Sequence, residues 1–225
     1  MKPVVPVKAP PRWDDIDLVL LDMDGTLLDK HFDDHFWEEY VPEQYALAHG
    51  MSREEAKGKL MKRYRAQEGT LNWTNLDYWS GELGLDIPAL KEQVDHLIAV
   101  HPFVPDFLMG VRGAGKKVCL VTNAHGKTLD LKMRKTSLGG MFHAVYTSQE
   151  LGAPKEDRRF WEALRRRMGF DPARTFLAED TLSVLEAAWR FKIRYLVHIL
   201  KSSSARPPGK SGRFYSIETF KEIIP

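Results

Sequence analysis

Short apolar runs alternate with longer amphipathic stretches over much of the chain. The apolar runs predict strands at residues 16–21, 117–121, 144–146, 175–178 and 193–199. Their uninterrupted apolar character is typical of strands buried on both faces of a parallel sheet. Between the later runs, helical patterns predict helices at residues 126–137, 155–168 and 181–191. The alternation indicates an α/β fold, with a Rossmann-like parallel sheet and right-handed crossovers.

The segment between the first two predicted strands departs from this alternation. It is about 95 residues long, whereas a crossover connection needs only about a dozen. Its pattern predicts helices throughout, at residues 34–49 with an interruption near Pro42, and at 52–68, 71–83, 88–99 and 106–114. Ser52 and Glu55 form a capping-box pattern at the start of the second of these. We therefore expect an all-helical domain, residues 34–101, inserted into an α/β core of residues 15–33 and 102–225.

Composition and charge exclude some classes of function. The 225 residues are 43% hydrophobic and 28% charged, as in soluble globular proteins. The formal net charge of +2 gives no reason to expect a nucleic-acid polymer or a membrane as partner. The single cysteine, Cys119, excludes an internal disulfide and suits a reducing compartment. Residues 1–14 contain four prolines and predict a poorly packing lead-in rather than a signal peptide, so we expect a cytoplasmic protein, monomeric or weakly homo-oligomeric.

Candidate chemistry gathers where the predicted strands end. Ligands of α/β proteins bind beyond the carboxyl ends of the strands, and three pairs fall there: Asp22 and Asp24 after the first strand, Thr122 and Asn123 after the second, and Glu179 and Asp180 after the fourth. Lys155 opens a predicted helix close to the same edge. Two carboxylates 4 Å apart repel by about 4 kcal/mol at an effective dielectric constant of 20, which a bound cation or a proton would offset. An isolated Asp-X-Asp pair indicates only solvated acids, but three matching strand ends favour a site.

These residues resemble the motifs of the haloacid dehalogenase superfamily of phosphohydrolases. The four motifs match in order as LLDMDGTLLD at 20–29, VTN at 121–123, Lys155 in GAPKED, and AED at 178–180. The helical insertion is similar to the C1-type cap of that superfamily. Its fourth motif more often carries two aspartates, so the Glu179-Asp180 pair leaves open which acid is the closer metal ligand, and we favour Asp180.

The resemblance implies a phosphatase that uses Mg²⁺ as its cofactor. Asp22 would be the nucleophile and Asp24 the general acid and base, an acid that true dehalogenases lack at this position. Thr122 and Lys155 would share the charge of the phosphoryl group. The metal would be held by Asp22, the Asp24 carbonyl and Asp180, with Glu179 as a further candidate. The residues expected to contact the phosphate or the rest of the substrate are Met23, Asn123, Ala124 and His125.

The chain resembles the purine 5′-nucleotidases of the superfamily in three segments, at 32–43, 71–86 and 153–161. This resemblance implies a small phosphate ester as substrate, a purine nucleoside monophosphate such as GMP or IMP. The ring of Trp73 could stack on a base, and Asn72 and Asp77 could bond its edge. The same residues could instead pack and cap the cap helices. A sugar phosphate or phosphoglycolate as substrate, and a catalytically silent regulator, stay open as alternatives.

Two further polar clusters are interpreted as solvated surface. The loop at residues 201–213 has four positive charges and no acid, and its Ser, Pro and Gly content predicts a flexible surface loop. His31 and His35 lie four residues apart beside Asp33 and Asp34, without a third metal-ligand pattern. We therefore expect these residues to be solvated.

Overall fold

The computed structural model describes residues 8–225 and contains one parallel sheet. Its order is β3-β2-β1-β4-β5-β6. The strands are β1 (Leu18–Leu21), β2 (Lys117–Thr122), β3 (Ala144–Thr147), β4 (Thr175–Glu179), β5 (Tyr195–Ile199) and β6 (Tyr215–Ile217). The predicted α/β class with a Rossmann-like sheet is confirmed. Strand β6 is not predicted, because its sequence Tyr-Ser-Ile is not an uninterrupted apolar run.

Helices cover the sheet and form the long insertion after β1. Those of the insertion are α1 (His31–His35), α2 (Val41–His49), α3 (Arg53–Gln67), α4 (Leu76–Leu83) and α5 (Ile87–Gln93). Those of the core are α6 (Val104–Gly113), α7 (Gly126–Thr136), α8 (Ser148–Leu151), α9 (Arg158–Met168) and α10 (Leu182–Arg190). Within residues 8–225, no helix combines the length and the apolar character needed to cross a membrane.

The strand register aligns the carboxyl ends of the three central strands. Leu21, the last residue of β1, lies opposite Leu120 of β2 and Ala178 of β4. The residues that follow these three positions therefore emerge at the same edge of the sheet.

Alternating side chains of β1 build the core on both faces of the sheet. Val19 and Leu21 belong to one buried cluster, which includes Phe107 of α6. Leu18 and Leu20 belong to a second, which includes Trp161 of α9. All four strand residues are at most 4% exposed, as the uninterrupted apolar run predicts.

The inserted helices have a hydrophobic core of their own. Phe36, Leu60, Trp79 and Ile87 are each at most 1% exposed and belong to one cluster. Leu131 of α7 is part of the same cluster, so the insertion packs directly on a helix of the sheet domain. We refer to residues 31–97, which hold these helices, as the cap.

Several helix boundaries differ from the predicted ones because polar side chains cap backbone groups. Asn75 accepts hydrogen bonds from the backbone of Asp77 and Tyr78, which divides the predicted 71–83 helix. Asp157 likewise caps α9 through the N–H of Arg159, so α9 begins after Lys155 and not at it. The predicted interruption near Pro42 is wrong, because the chain stays helical from residue 31 to 49, with a π-helical turn before Pro42.

The predicted lead-in at residues 1–14 lies partly outside the described residues, which exclude 1–7. Its end does pack on the core. Trp13 lies against Phe107 and Phe176, with ring centroids 5.9 and 5.4 Å away. Aromatic burial of this kind stabilises the folded state, so the prediction of poor packing is wrong for Trp13.

We expect Trp13→Ala to lower the free energy of unfolding by about 2 kcal/mol, because it removes a large half-buried ring from the core. Urea denaturation would measure this change. Asp14→Ala, at the exposed neighbouring position, is the matched control and should change the value by less than about 0.5 kcal/mol. Equal effects of the two substitutions would contradict the packing described for Trp13.

Candidate active site

The turn after β1 brings Asp22 and Asp180 together. Asp22 is 4% exposed, and its backbone N–H donates to the carbonyl of Ala178 at 3.1 Å, so the chain still runs beside β4. Gly25 turns the chain away with φ of +85°. A Cβ atom at this position would collide with the carboxylate of Asp180. Glycine is therefore required both for the turn and for the approach of Asp180.

Lys155 is the buried cation at this edge of the sheet. Its ammonium donates to Asp22 Oδ1 and, at 2.7 Å, to Glu179 Oε2. Two hydrogen bonds hold its backbone: its N–H donates to Asn123 Oδ1 at 2.9 Å, and its carbonyl accepts from Trp161 Nε1 at 2.8 Å. The residue is 2% exposed. It lies in the loop before α9, so tertiary hydrogen bonds and not a helix position its ammonium.

Burial shifts the proton affinity of these groups. It raises the pKa of Asp22, against the lowering effect of Lys155. Burial also raises the pKa of Glu179 well above its usual value, and the charge of Asp22 adds to this shift. Burial alone would lower the pKa of Lys155, but the two carboxylates outweigh it and raise that pKa. The site therefore favours positive charge, since its carboxylates are crowded and shielded from water.

Three carboxylates at this edge could hold a metal ion. Asp22, Glu179 and Asp180 each offer an oxygen atom, and these atoms lie within 4.8 Å of one another. Lys30 also reaches the group, with its Nζ 3.1 Å from Asp180 Oδ2. An all-oxygen donor set of this kind fits Mg²⁺. The structure thus brings together three of the four acids predicted to surround the metal.

The carboxylate of the fourth acid, Asp24, takes a different partner. Lys132 of α7, which is 1% exposed, donates to Asp24 Oδ1 at 2.6 Å and to Asp33 Oδ2 at 2.5 Å. Lys91 of α5 donates to the other oxygen of Asp33 at 2.9 Å. Burial raises the pKa of Asp24 to about 6, although Lys132 opposes the shift. For Asp33 the two lysines outweigh burial and lower the pKa.

The end of β2 supplies the opposite wall of the site. Thr122 is 1% exposed, and its hydroxyl accepts from the N–H of Ala124 at 3.0 Å. Asn123 donates through Nδ2 to Glu156 Oε2 at 3.0 Å, and its carbonyl accepts from the hydroxyl of Thr74 in the cap. The Nδ1 atom of His125 is buried and has no hydrogen-bond partner within residues 8–225. Strand β2 therefore presents polar groups next to the three carboxylates.

A cavity of about 540 Å³ lies between the sheet edge and the cap. Of the residues predicted to act in catalysis or to contact the metal or substrate, those on its wall are Asp22, Asp24, Thr122, Lys155, Glu179, Asp180, Asn123, Ala124, His125 and Trp73. Met23 is fully buried in the core. Asn72 bonds Gln67, and Asp77 is paired with Lys127 at the surface. None of these three side chains lies on the cavity wall, because core packing holds Met23 and side-chain hydrogen bonds hold Asn72 and Asp77.

A family model for haloacid dehalogenase-like hydrolases matches residues 16–190. The chain belongs to this family. The match spans β1, the cap, and the residues at the ends of β2 and β4, so it includes all the residues on the cavity wall except Arg206.

Relatives of this hydrolase agree in length and fold. This chain is 36% identical over 213 residues to the GMP/IMP nucleotidase YrfG of Escherichia coli (strain K12), and the match covers 95% of this chain and 96% of that protein. A HAD phosphatase from Thermococcus onnurineus superposes with a TM-score of 0.75 at 23% identity, covering 92% of this chain and 95% of that one. A putative beta-phosphoglucomutase from Thermotoga maritima superposes with a TM-score of 0.66 at 19% identity, covering 93% of this chain and 97% of that one. The two structural similarities show the fold alone.

Sequence reasoning missed the cations that surround the acids of this hydrolase. Lys132 and Lys91 lie in polar helical sequence that looks solvated, and only the packing of the cap on α7 buries them. The expectation that Asp33 and Asp34 are solvated loop residues is wrong, since both lie on α1 and line the cavity. Arg206 pairs with Asp34 at 3.0 Å.

The loop at residues 201–213 lies at the surface as predicted, with residues 204–213 exposed, but the contacts of its first part correct the prediction of flexibility there. Arg206 also pairs with Glu38 of the cap at 2.5 Å. Ser202 accepts from the backbone N–H of Lys30 at 2.9 Å, and Ser204 donates its N–H to Asp29 at 2.9 Å. The first part of this loop is therefore tied to the chain segment that enters the cap.

We expect Lys132→Met to lower the free energy of unfolding by about 3 kcal/mol, because it leaves two buried carboxylates without their shared cation. Chemical denaturation would measure the loss. The matched control is Lys135→Met on the same helix, whose ion pair with Asp95 at 3.0 Å is partly exposed and should contribute less than about 1 kcal/mol. An equal loss of stability in both variants would show that the buried ion pairs of Lys132 stabilise the fold no more than an exposed pair does.

Proposed function

We propose that this hydrolase cleaves phosphate monoesters through a covalent aspartyl-phosphate intermediate, with purine nucleoside 5′-monophosphates as its substrates. The observation that carries this proposal is the arrangement at the end of β1. The buried carboxylate of Asp22 lies against Lys155 and within 4.8 Å of two further acids, at the floor of a cavity.

In the first half of the reaction, Asp22 attacks the phosphorus atom of the bound ester. A bond forms between the Asp22 carboxylate oxygen and phosphorus, and the bond from phosphorus to the ester oxygen breaks. Asp24 gives its proton to the departing oxygen, which leaves as an alcohol. The product alcohol would be the nucleoside, and the phosphoryl group stays on Asp22.

In the second half, Asp24 takes a proton from a water molecule, and that water attacks the phosphorus atom. The bond between phosphorus and Asp22 breaks, which frees inorganic phosphate and restores both aspartates. A group that donates and then accepts a proton works best with a pKa near the working pH. The pKa of about 6 for Asp24, set mainly by burial, supports this role.

The remaining polar groups would balance the charge of the phosphoryl oxygens. Lys155 brings a fixed positive charge, and Thr122 brings a hydroxyl. The site would hold Mg²⁺ through Asp22, Glu179, Asp180 and the Asp24 carbonyl, and the bound ion would neutralise part of the phosphoryl charge. Lys155 already offsets part of the repulsion among these acids, and a bound cation would offset more of it.

Two observations support the choice of substrate. The relative with 36% identity over almost the whole chain is named a GMP/IMP nucleotidase. The cavity volume of about 540 Å³ also lies within the range of sites for drug-sized ligands, and Trp73 offers an aromatic face on its wall. Both observations favour a nucleotide over a two-carbon ester such as phosphoglycolate.

Steady-state kinetics with IMP, GMP, ribose 5-phosphate and phosphoglycolate test the proposal. We expect the highest kcat/KM for IMP and GMP, loss of activity with a chelator, and recovery with Mg²⁺. Asp22→Asn should lower kcat by about 10³-fold or more, because it removes the nucleophile. Asp14→Asn, at an exposed position before β1, is the matched control. Equal kcat/KM values for IMP and ribose 5-phosphate would refute the nucleotidase assignment, and an active Asp22→Asn variant would refute the mechanism.

A further inference from the structure

One face of α3 lines the cavity, and the hydrolytic chemistry does not use it. Met61, Tyr64, Arg65 and Glu68 all lie on the cavity wall. Their spacing of i, i+3, i+4 and i+7 is that of a single helix face. Helix α3 ends at Gln67, and Glu68, the residue that caps it, extends the same face by one position. This face belongs to the cap, across the cavity from the carboxylates of the sheet edge.

Tyr64 carries an unsatisfied polar atom on this face. The residue is 5% exposed, and its hydroxyl has no hydrogen-bond partner within the described chain, residues 8–225. Buried polar groups are normally paired, because an unpaired one loses its bond to water without replacement. An unpaired hydroxyl on the wall of a ligand cavity is expected where the ligand supplies the partner.

The ring of Tyr64 is fixed in place by three tryptophans. Its centroid lies 5.5 Å from Trp37, 6.5 Å from Trp73 and 5.0 Å from Trp79, each in an edge-on arrangement. Edge-on contacts of this kind define the ring orientation. The hydroxyl is therefore held at a set position before any ligand binds, which favours selective recognition.

Arg65 and Glu68 bring a charged donor and a charged acceptor to the same face. Neither side chain has an ion-pair partner within the part of the chain that the structure describes. Guanine and hypoxanthine carry an acceptor oxygen at C6 and a hydrogen on N1. Adenine instead carries a donor amino group at C6 and no hydrogen on N1. An arginine pairs well with O6 and N7 of a purine, and a carboxylate accepts from N1–H.

We propose that Tyr64, Arg65 and Glu68 form the base subsite and select 6-oxopurines over 6-aminopurines. This inference rests on the proposed nucleotidase function and adds the residues that recognise the base. Adenine would place its amino group against Arg65 and its N1 lone pair against Glu68. Arg65 and Glu68 are exposed side chains, so the discrimination against adenine comes from a donor that would face a donor and an acceptor that would face an acceptor.

The test compares ratios of kcat/KM within each variant, so that a general loss of activity cancels. For Tyr64→Phe we expect the ratio of IMP to ribose 5-phosphate, which has no base, to fall about fivefold. For Glu68→Gln we expect the ratio of IMP to AMP to fall about tenfold, since a charged acceptor is lost. Tyr78→Phe is the control. Its ring packs edge-on against Trp79 at 5.1 Å but does not line the cavity, so both ratios should stay at the wild-type value.

Thermal unfolding separates base recognition from a structural role of the hydroxyl. Removal of an unpaired buried hydroxyl should leave Tm unchanged or raise it by about 2 °C. A lowered ratio without a lowered Tm supports the subsite. Ratios for Tyr64→Phe and Glu68→Gln that equal those of wild type would overturn it.

Inosine has the base and the ribose but no phosphate. Its binding distinguishes a failure of the base subsite from a failure of the proposed nucleotidase function. We expect inosine to inhibit hydrolysis of p-nitrophenyl phosphate by the wild type, and about fivefold more inosine to be needed for Tyr64→Phe. Inhibition that is equal in both proteins, together with a wild-type preference for IMP, would overturn the subsite alone. A wild type that neither prefers IMP nor binds inosine would overturn the nucleotidase proposal and the subsite with it.

Discussion

Electrostatic repulsion among the acids at the carboxyl edge of the sheet is the constraint on which the rest of the site depends. The register of the central strands brings Asp22 level with the end of β4, so its carboxylate meets Glu179 and Asp180 within 4.8 Å. Burial strengthens this repulsion because water no longer screens it. Lys155, fixed by hydrogen bonds to Asn123 and Trp161, offsets part of the repulsion. The same arrangement leaves an oxygen-rich site that could hold a divalent cation.

The second set of buried charges links the chemistry to the cap. Lys132 of the sheet domain binds Asp24 of the site and Asp33 of the cap, and Lys91 approaches Asp33 from a further cap helix. Lys132 therefore connects the packing of the cap on α7 with the charges that surround Asp24. Arg206, which pairs with Asp34 and Glu38, adds a contact from the loop after β5.

The acids and the sheet could be predicted from sequence because both depend on local patterns. An apolar run followed by Asp22 and Asp24 determines where the strand ends, and the end of a parallel strand determines where its acids lie. Lys132 and Lys91 could not be found in this way, since a lysine in a polar helix looks solvated until the packing of another domain buries it. Asn72 and Asp77 have residue types that suit a purine edge, but Asn72 bonds Gln67 and Asp77 bonds Lys127, so neither side chain lies on the cavity wall.

The proposed mechanism requires that Asp22 becomes covalently phosphorylated, and chemical trapping would detect this intermediate. Enzyme turning over IMP with Mg²⁺ would be quenched in acid and reduced with borohydride, which converts an aspartyl phosphate to homoserine. Peptide mass spectrometry would then locate the modified residue. We expect homoserine at position 22 in samples quenched during turnover, and unmodified Asp22 in samples without substrate. Steady release of phosphate with Asp22 unmodified in every quenched sample would rule out the covalent mechanism.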